Sequence, residues 1–155
     1  IHEGKIGKIK YIYSNRLNFG KVRQIEDVLW SLASHDISLF LFFANSNSFS
    51  TKYIGNSIVS EHNDDSSLSS FAFENGIQGH IFVNWLHPFK EHRFVIIGSN
   101  GMLHFEDSSN HKPLLFYNNK VEYKNNVRSL AKSLLKATPN IPACPSQKRS
   151  LPELL

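Results

Sequence analysis

The chain has 155 residues, 41% of them apolar and 19% charged, which suits one domain with its own core and argues against a disordered protein. No run of about eighteen apolar residues occurs, so no segment is predicted to span a membrane. The net charge of +4 is spread along the chain without a Lys/Arg run. This spread argues against nucleic acid as a partner, and an anionic small-molecule substrate explains the surplus as well.

The ends and the cysteine content bear on processing and location. The chain begins at Ile1 without a basic and apolar leader, so we expect a truncated product or fragment without a secretory signal. A lone Cys144 cannot form an internal disulfide, and no Asn-x-Ser/Thr acceptor occurs. Both features predict a cytoplasmic protein.

A strand and a long helix are predicted first. Residues 7–18 alternate apolar and polar side chains, which is typical of a half-buried strand. Residues 26–44 form the one long helix, with Glu26 and Asp27 in its first turn, where the helix dipole favours acids. Its apolar residues are nearly continuous, which predicts a helix buried on most sides.

The remaining elements are predicted to be strands. In chain order they cover residues 53–60, 68–73, 78–85, 94–97, 102–105 and 114–117, with a last strand at 121–123 forming a hairpin with the one before it. One helix with consecutive antiparallel strands predicts an α+β fold: an open, mostly antiparallel sheet with the long helix buried on one face. We assign residues 1–124 to this domain and read residues 125–155 as a short helix and a mobile Pro-rich tail.

The helix carries the main candidate for chemistry. At about 100° per residue its polar side chains fall on one stripe, whereas Asp36 points the opposite way. That stripe consists of Asp27, Ser31, Ser34, His35 and Ser38. His35 could accept a hydroxyl proton as a hydride leaves the same carbon, because its ordinary pKa lies near neutrality. It could equally be a core histidine bonded to a backbone carbonyl.

Other motifs are weaker. His87, Lys90 and Arg93 could contact a phosphate or carboxylate, or could form a solvated charged turn. No pair of His or Cys has the spacing of zinc ligands, so no metal site is predicted. Residues 98–101 form a turn between strands without a following helix, and no other glycine-rich fingerprint occurs. The chain is therefore not expected to bind a dinucleotide by that route.

These residues carry a resemblance to a known family. The segments 16–20 (RLNFG), 27–38 (DVLWSLASHDIS), 85–90 (WLHPFK) and 95–107 (VIIGSNGMLHFED) are similar to the C-terminal domain of the glucose-fructose oxidoreductase/inositol dehydrogenase (Gfo/Idh/MocA) family. They resemble most closely the branch that oxidises nucleotide-linked N-acetyl sugars at C3. The resemblance covers about residues 4–107.

The resemblance implies the C-terminal half of a two-domain oxidoreductase, with a sugar or nucleotide-sugar substrate and homo-oligomerisation through the sheet. NAD or NADP would be bound by a missing N-terminal Rossmann domain, so this chain alone would be inactive. His35 matches the catalytic helix histidine, and Arg16 and Asn18 match substrate contacts. Ser31 stands where the family has Asp; it could still bind a sugar hydroxyl, without a charge to orient His35.

A second hypothesis is a non-enzymatic binding or dimerisation module. It would use an exposed face of the sheet with five large apolar side chains, namely Phe71, Phe73, Ile81, Val83 and Trp85.

Overall fold

The computed structural model of the protein describes residues 4–119. Its elements are β1 (Ile9–Phe19), α1 (Val28–Ala44), β2 (Phe49–Asn56), β3 (Ser66–Phe73), β4 (Gln78–Asn84), β5 (Leu86–Gly98), β6 (Met102–Glu106) and β7 (Leu114–Tyr117). The predicted strand at 121–123 and the predicted tail at 125–155 lie outside the described residues. Most predicted elements are confirmed to within two residues.

Two predicted strands were misplaced. β2 begins at Phe49 and ends at Asn56, four residues before the predicted bounds at both ends. β5 runs from Leu86 to Gly98, whereas only its last part was predicted. The first half of β5 contains Pro88 and a charged stretch, which read as a turn in the sequence.

The strands form one open sheet in the order β2-β3-β4-β1-β5-β6-β7. Along this described sheet β1 is parallel to β4, and every other neighbouring pair is antiparallel. The mostly antiparallel open sheet is therefore confirmed, with one parallel pair that was not predicted. β1 inserts between β4 and β5, although these two strands are separated by Trp85 alone in the sequence.

The helix is bounded by local caps. Asp27 is the N-cap, and its Oδ1 accepts a hydrogen bond of 2.8 Å from the N–H of Trp30. Asn45 ends the helix in the left-handed conformation, at φ 48°. Because the helix begins at Val28, its first turn contains no acidic residue, which corrects the prediction for Glu26 and Asp27.

α1 packs against one face of the sheet. Phe40 lies at the centre of this contact, with its ring 5.4 Å from that of Phe71 and 5.8 Å from that of Phe94. The helix is nevertheless not buried on most sides, because Trp30 and Phe42 are each 72% exposed. Only one stripe of α1 is buried: Val28, Ala33, Asp36, Phe40 and Ala44.

The second hypothesis assigned the wrong side chains to the exposed face of the sheet. The five side chains assigned to an exposed face are all buried in the core beneath the helix: Phe71, Phe73, Ile81, Val83 and Trp85. Strand alternation places another set on the opposite side, which we call the open face. It includes Tyr11, Tyr13, Ile54, Leu68, His80, Phe82, Ile97 and Met102.

A buried carboxylate shapes the loop between β2 and β3. Oδ2 of Asp65 accepts hydrogen bonds from the N–H groups of Ile58, Val59 and Ser60, at 2.8, 2.6 and 3.0 Å. Asp65 is fully buried. Three donors converging on one oxygen require a tight turn at these residues, and β2 therefore ends before them.

Candidate active site

The predicted catalytic residue lies on the outward side of α1. The side chain of His35 is exposed, and within the described residues it makes no hydrogen bond. The alternative of a core histidine bonded to a backbone carbonyl is therefore wrong. Ser31, one turn earlier on the same side, is half-buried, and the exposed Ser38 donates its hydroxyl to the carbonyl oxygen of Ser34 at 3.1 Å.

Arg16 contacts the residue that follows His35. From β1 it donates through Nε to Oδ2 of Asp36 at 2.5 Å and through Nη2 to Oδ1 at 3.3 Å. The side chain of Asp36 is 3% exposed and that of Arg16 is 22% exposed. Burial raises the pKa of the Asp36 carboxyl, and the ion pair with Arg16 and a hydrogen bond from Ser14 oppose that rise.

Asn18 lies near the end of β1, where the pairing with β5 is irregular. Its side chain is half-buried and, in residues 4–119, has no hydrogen-bond partner. It lies two residues beyond Arg16 on the same strand. The structure thus places Arg16 against Asp36 below α1, whereas His35 and Ser31 share the outward side.

A small cleft of about 60 Å³ opens beside the ion pair. It is lined by Arg16, Asp36, Leu39, His92 and Asp107, among others. Nδ1 of His92 lies 3.8 Å from Oδ2 of Asp107, and that carboxylate also pairs with Lys112 at 3.0 Å. Burial, together with the charges of Arg16 and Lys90, lowers the pKa of His92.

Sequence reasoning missed this charged cluster. Asp36 was recognised as pointing away from the polar stripe, but its burial and its partner were not foreseen. His92 and Asp107 lie in segments that read as turn and strand end, and only their pairing in space connects them with Asp36. The one available signal was a lone acid on an apolar helix, which requires a basic partner when buried.

The basic residues near β5 do not form an anion site. Arg93 pairs with Glu106, Nε to Oε2 at 3.1 Å, and with Glu91 at 3.5 Å. The ring of His87 packs edge-on to that of Phe89 at 4.4 Å. Lys90 is exposed. The positive charge of Arg93 is thus balanced by two acids, and His87 and Arg93 each contact different neighbours.

Residues 4–119 show neither a metal-binding cluster nor a helix that could span a membrane. In that part of the chain no group of three or more His, Cys, Asp or Glu is arranged to hold a metal ion. No helix there is long and apolar enough to cross a membrane.

The described residues also fit a dinucleotide poorly. A pyrophosphate needs a glycine-rich turn that leads into a helix N-terminus. Gly98 and Gly101 instead lie at a tight turn between the antiparallel strands β5 and β6. The only helix of this part of the chain is α1, and two of its first N–H groups are already engaged: that of Val28 donates to the carbonyl oxygen of Asp64 and that of Trp30 to the Asp27 carboxylate. No step of a mechanism is therefore assigned to a nicotinamide held by these residues.

Within residues 4–119, the mixed open sheet and the one helix packed on its face define an α+β domain of the open-sheet type. Residues 1–104 match the family model described as the GFO/IDH/MocA C-terminal domain. The chain belongs to this family, and the resemblance seen in its sequence is confirmed. No curated protein matches the chain.

Solved structures share the fold. The chain is similar to the WlbA dehydrogenase from Bordetella pertussis in complex with NADH and UDP-GlcNAcA, at 14% identity and a TM-score of 0.63, over 79% of this chain and 41% of that one. It is also similar to the UDP-N-acetylglucosamine 3-dehydrogenase GnnA from Acidithiobacillus ferrooxidans, at 17% identity and a TM-score of 0.66, over 81% and 40%.

A third similar structure is an inositol dehydrogenase homolog from Azotobacter vinelandii, complexed with NADH and myo-inositol, at 15% identity and a TM-score of 0.59, over 79% and 38%. At such identities the likeness establishes the fold. The chain spans about two fifths of the length of these proteins.

Proposed function

We propose that the chain is the substrate-binding and oligomerisation portion of an NAD(P)-dependent oxidoreductase acting on a sugar, specifically a nucleotide sugar. The observation that carries this proposal is the position of His35, exposed on the outward side of α1 in a chain of this family. An imidazole displayed there needs a further polypeptide region to hold the substrate hydroxyl within hydrogen-bond reach of it. The family relatives that are more than twice as long offer such a region.

Four residues share the proposed work. His35 is the general base for a sugar hydroxyl, because an imidazole nitrogen can take up a proton and release it again. Ser31, one turn away, would bond a neighbouring hydroxyl. Asn18, with an unoccupied amide at the end of β1, and Arg16 are the remaining substrate contacts. Arg16 would use the part of its guanidinium that Asp36 leaves unbonded.

The cofactor of the proposed enzyme is NAD or NADP, held by an N-terminal domain. Support comes from the poor fit of residues 4–119 to a pyrophosphate and from the NADH named with WlbA. Ser31 brings no charge to His35, so we propose weak catalysis even with that domain, and none by this chain alone. The lone Cys144 and the missing glycosylation acceptors favour a cytoplasmic location.

The experiment combines the chain with the nucleotide-binding part of WlbA, whose structure holds NADH and UDP-GlcNAcA, and follows NADH formation with UDP-GlcNAcA. His35→Ala should lower kcat by about 10²–10⁴-fold, the usual contribution of a positioned base. His111→Asn, an exposed histidine on the loop before β7, is the matched control and should change nothing. Ser31→Asp should raise the rate. Oxidation that persists in the His35→Ala protein would exclude the assigned role.

The second proposal is self-association through the open face. Tyr11 and Tyr13 pack there around His80: Tyr11 Oη lies 2.8 Å from Nδ1 of His80, and the ring of Tyr13 stacks on it at 5.3 Å. Ile54 is 62% exposed and its cross-strand partner Leu68 is 39% exposed. Contiguous apolar and aromatic side chains of this kind are typical of an interface core.

Light scattering across a concentration series tests this association. Ile54→Glu with Leu68→Glu should weaken a dimer at least ten-fold, whereas Ile58→Glu, at 64% exposure on the loop, is the control. A monomer at all concentrations would contradict it. A non-enzymatic module remains the alternative function: it predicts association without sugar oxidation in the assembled protein.

A further inference from the structure

Hydrophobicity does not determine which side of α1 faces the sheet. Trp30 and Phe42 are exposed although they are as apolar as the buried residues. Phe43 lies about 60° around the helix axis from the buried Phe40, and its ring already lies 5.8 Å from that of Phe94 on β5. A modest rotation would therefore exchange one phenylalanine for the other over this strand. A helix that is apolar nearly all round can pack in several rotations of similar burial.

One side chain favours a single rotation of α1 over the others. Asp36 is the only charged residue between Val28 and Ala44, and it is 2% exposed. Its carboxylate accepts two hydrogen bonds from Arg16, a residue fixed in the centre of the sheet by β4 on one side and β5 on the other. Rotations that carry Asp36 away from Arg16 would leave two buried or half-buried charges unpaired, which is strongly unfavourable.

We propose that the Arg16–Asp36 ion pair sets the rotation of α1 on the sheet and thereby holds His35 on the outward side. His35 immediately precedes Asp36, about 100° around the axis, so its direction follows from that of the carboxylate. Asp36 is thus a positioning residue, and its effect on catalysis rests on the proposed function of His35. The setting of the helix itself does not.

A buried ion pair is suited to this role for two reasons. It adds little to the free energy of unfolding, but any rotation of the helix that separates its two charges is strongly disfavoured. Replacing such a pair by apolar residues of similar volume often leaves stability unchanged or higher. In this protein the same replacement would also remove the charges that disfavour other rotations of α1. Specificity of orientation and stability are therefore separable at this site. That separation allows a test that a merely structural role would fail.

The test compares Arg16→Met/Asp36→Leu with a matched ion pair, Arg93→Met/Glu106→Leu, whose residues are register partners on β5 and β6 and make no ion pair with α1. The first double variant should unfold at or above the denaturant midpoint of the wild type. Its His35 ring should nevertheless give shifted or multiple signals in ¹H–¹³C spectra. The control pair should leave a single His35 signal at the wild-type position.

Activity supplies an independent readout. In the assembled enzyme the kcat of the Arg16→Met/Asp36→Leu variant should fall at least ten-fold, because His35 is misplaced. A rise in KM would report separately that a substrate contact by Arg16 has been lost. Arg16→Lys keeps the charge but not the two paired donors, so its kcat should lie between those of the double variant and the wild type. If the double variant does not fold, Arg16→Lys takes its place in both experiments.

One unchanged His35 signal in a folded Asp36 or Arg16 variant would overturn the inference. If the wild-type assembly oxidises no sugar, the proposed function fails, whereas the spectra still decide whether the ion pair sets the helix.

Discussion

Gly79 lies on β4 in close contact with both the central strand and the helix. A methyl group added there would lie 2.4 Å from the carbonyl oxygen of Ile12 and 2.7 Å from Cε1 of Phe40. The first contact is with backbone in the middle of the sheet, since Ile12 and Gly79 are register partners. Neither atom can move without disturbing the β1–β4 pairing or the aromatic cluster around Phe40.

The expected cost of Gly79→Ala follows from these two contacts. Overpacking of a core commonly costs about 1–3 kcal/mol, and a backbone contact falls in the upper half of that range. Alanine recovers about 0.5–1 kcal/mol by restricting the unfolded chain. We therefore expect a net loss of about 2 kcal/mol in the free energy of unfolding, or about 5–10 °C in Tm.

Urea denaturation followed by circular dichroism measures this loss. The double variant Gly79→Ala/Phe40→Leu separates the two contacts, because a smaller side chain relieves the clash with Phe40 but not that with Ile12. A coupling energy of about 0.5–1 kcal/mol is expected between the two positions. A Gly79→Ala protein as stable as the wild type would refute the close approach of helix and sheet.

Two predictions concern ionisable groups around the β2–β3 loop. Burial alone would raise the pKa of Asp65, but hydrogen bonds from the N–H groups of Val59, Ser60 and Ile58 hold it below the usual value. The ionised Asp65 carboxylate therefore stabilises the fold above about pH 4, and this stabilisation is lost as the pH falls through the lowered pKa. Asp65→Asn should cost about 1–3 kcal/mol at pH 7 and flatten the acid limb of stability measured between pH 2.5 and 7, and an unchanged acid limb would contradict this account. Burial and a hydrogen bond to Asp64 at 2.5 Å raise the pKa of Tyr53 to about 12. Ultraviolet titration should show one tyrosine ionising near that pH, and Asp64→Asn should move it towards 10; a transition unaffected by that substitution would remove Asp64 as a cause.

Local patterns predicted the elements well where one period dominates. The alternation in β1 and the long apolar run of α1 each mark an element, and the structure confirms both within two residues. β5 was largely missed because its first half is charged: Glu91 and Arg93 are paired with partners on other strands, which no local pattern displays.

Alternation also shows which residues share a side of a strand, but not which side the helix covers. Phe71 and Ile81 were correctly grouped, yet they lie in the core instead of on an exposed face. The same limit applies to the site. Asp36 was expected to point away from the polar stripe of α1, and it is buried. Its burial depends on Arg16, twenty residues earlier, which only the tertiary structure brings to it.

The insertion of β1 has a consequence for how the sheet is held together. Without β1 the strands would fall into two three-stranded meanders, β2-β3-β4 and β5-β6-β7, that share no ladder hydrogen bonds. Along the chain Trp85 alone connects them, and its carbonyl oxygen accepts from the N–H of Gly20 just past β1. In space, Phe40 of α1 contacts both halves, through Phe71 on β3 and Phe94 on β5. Residues 9–19 thus supply the ladder hydrogen bonds that join the two meanders into one sheet. The domain is accordingly suited to fragment complementation, in which a separate β1 peptide would reunite the meanders.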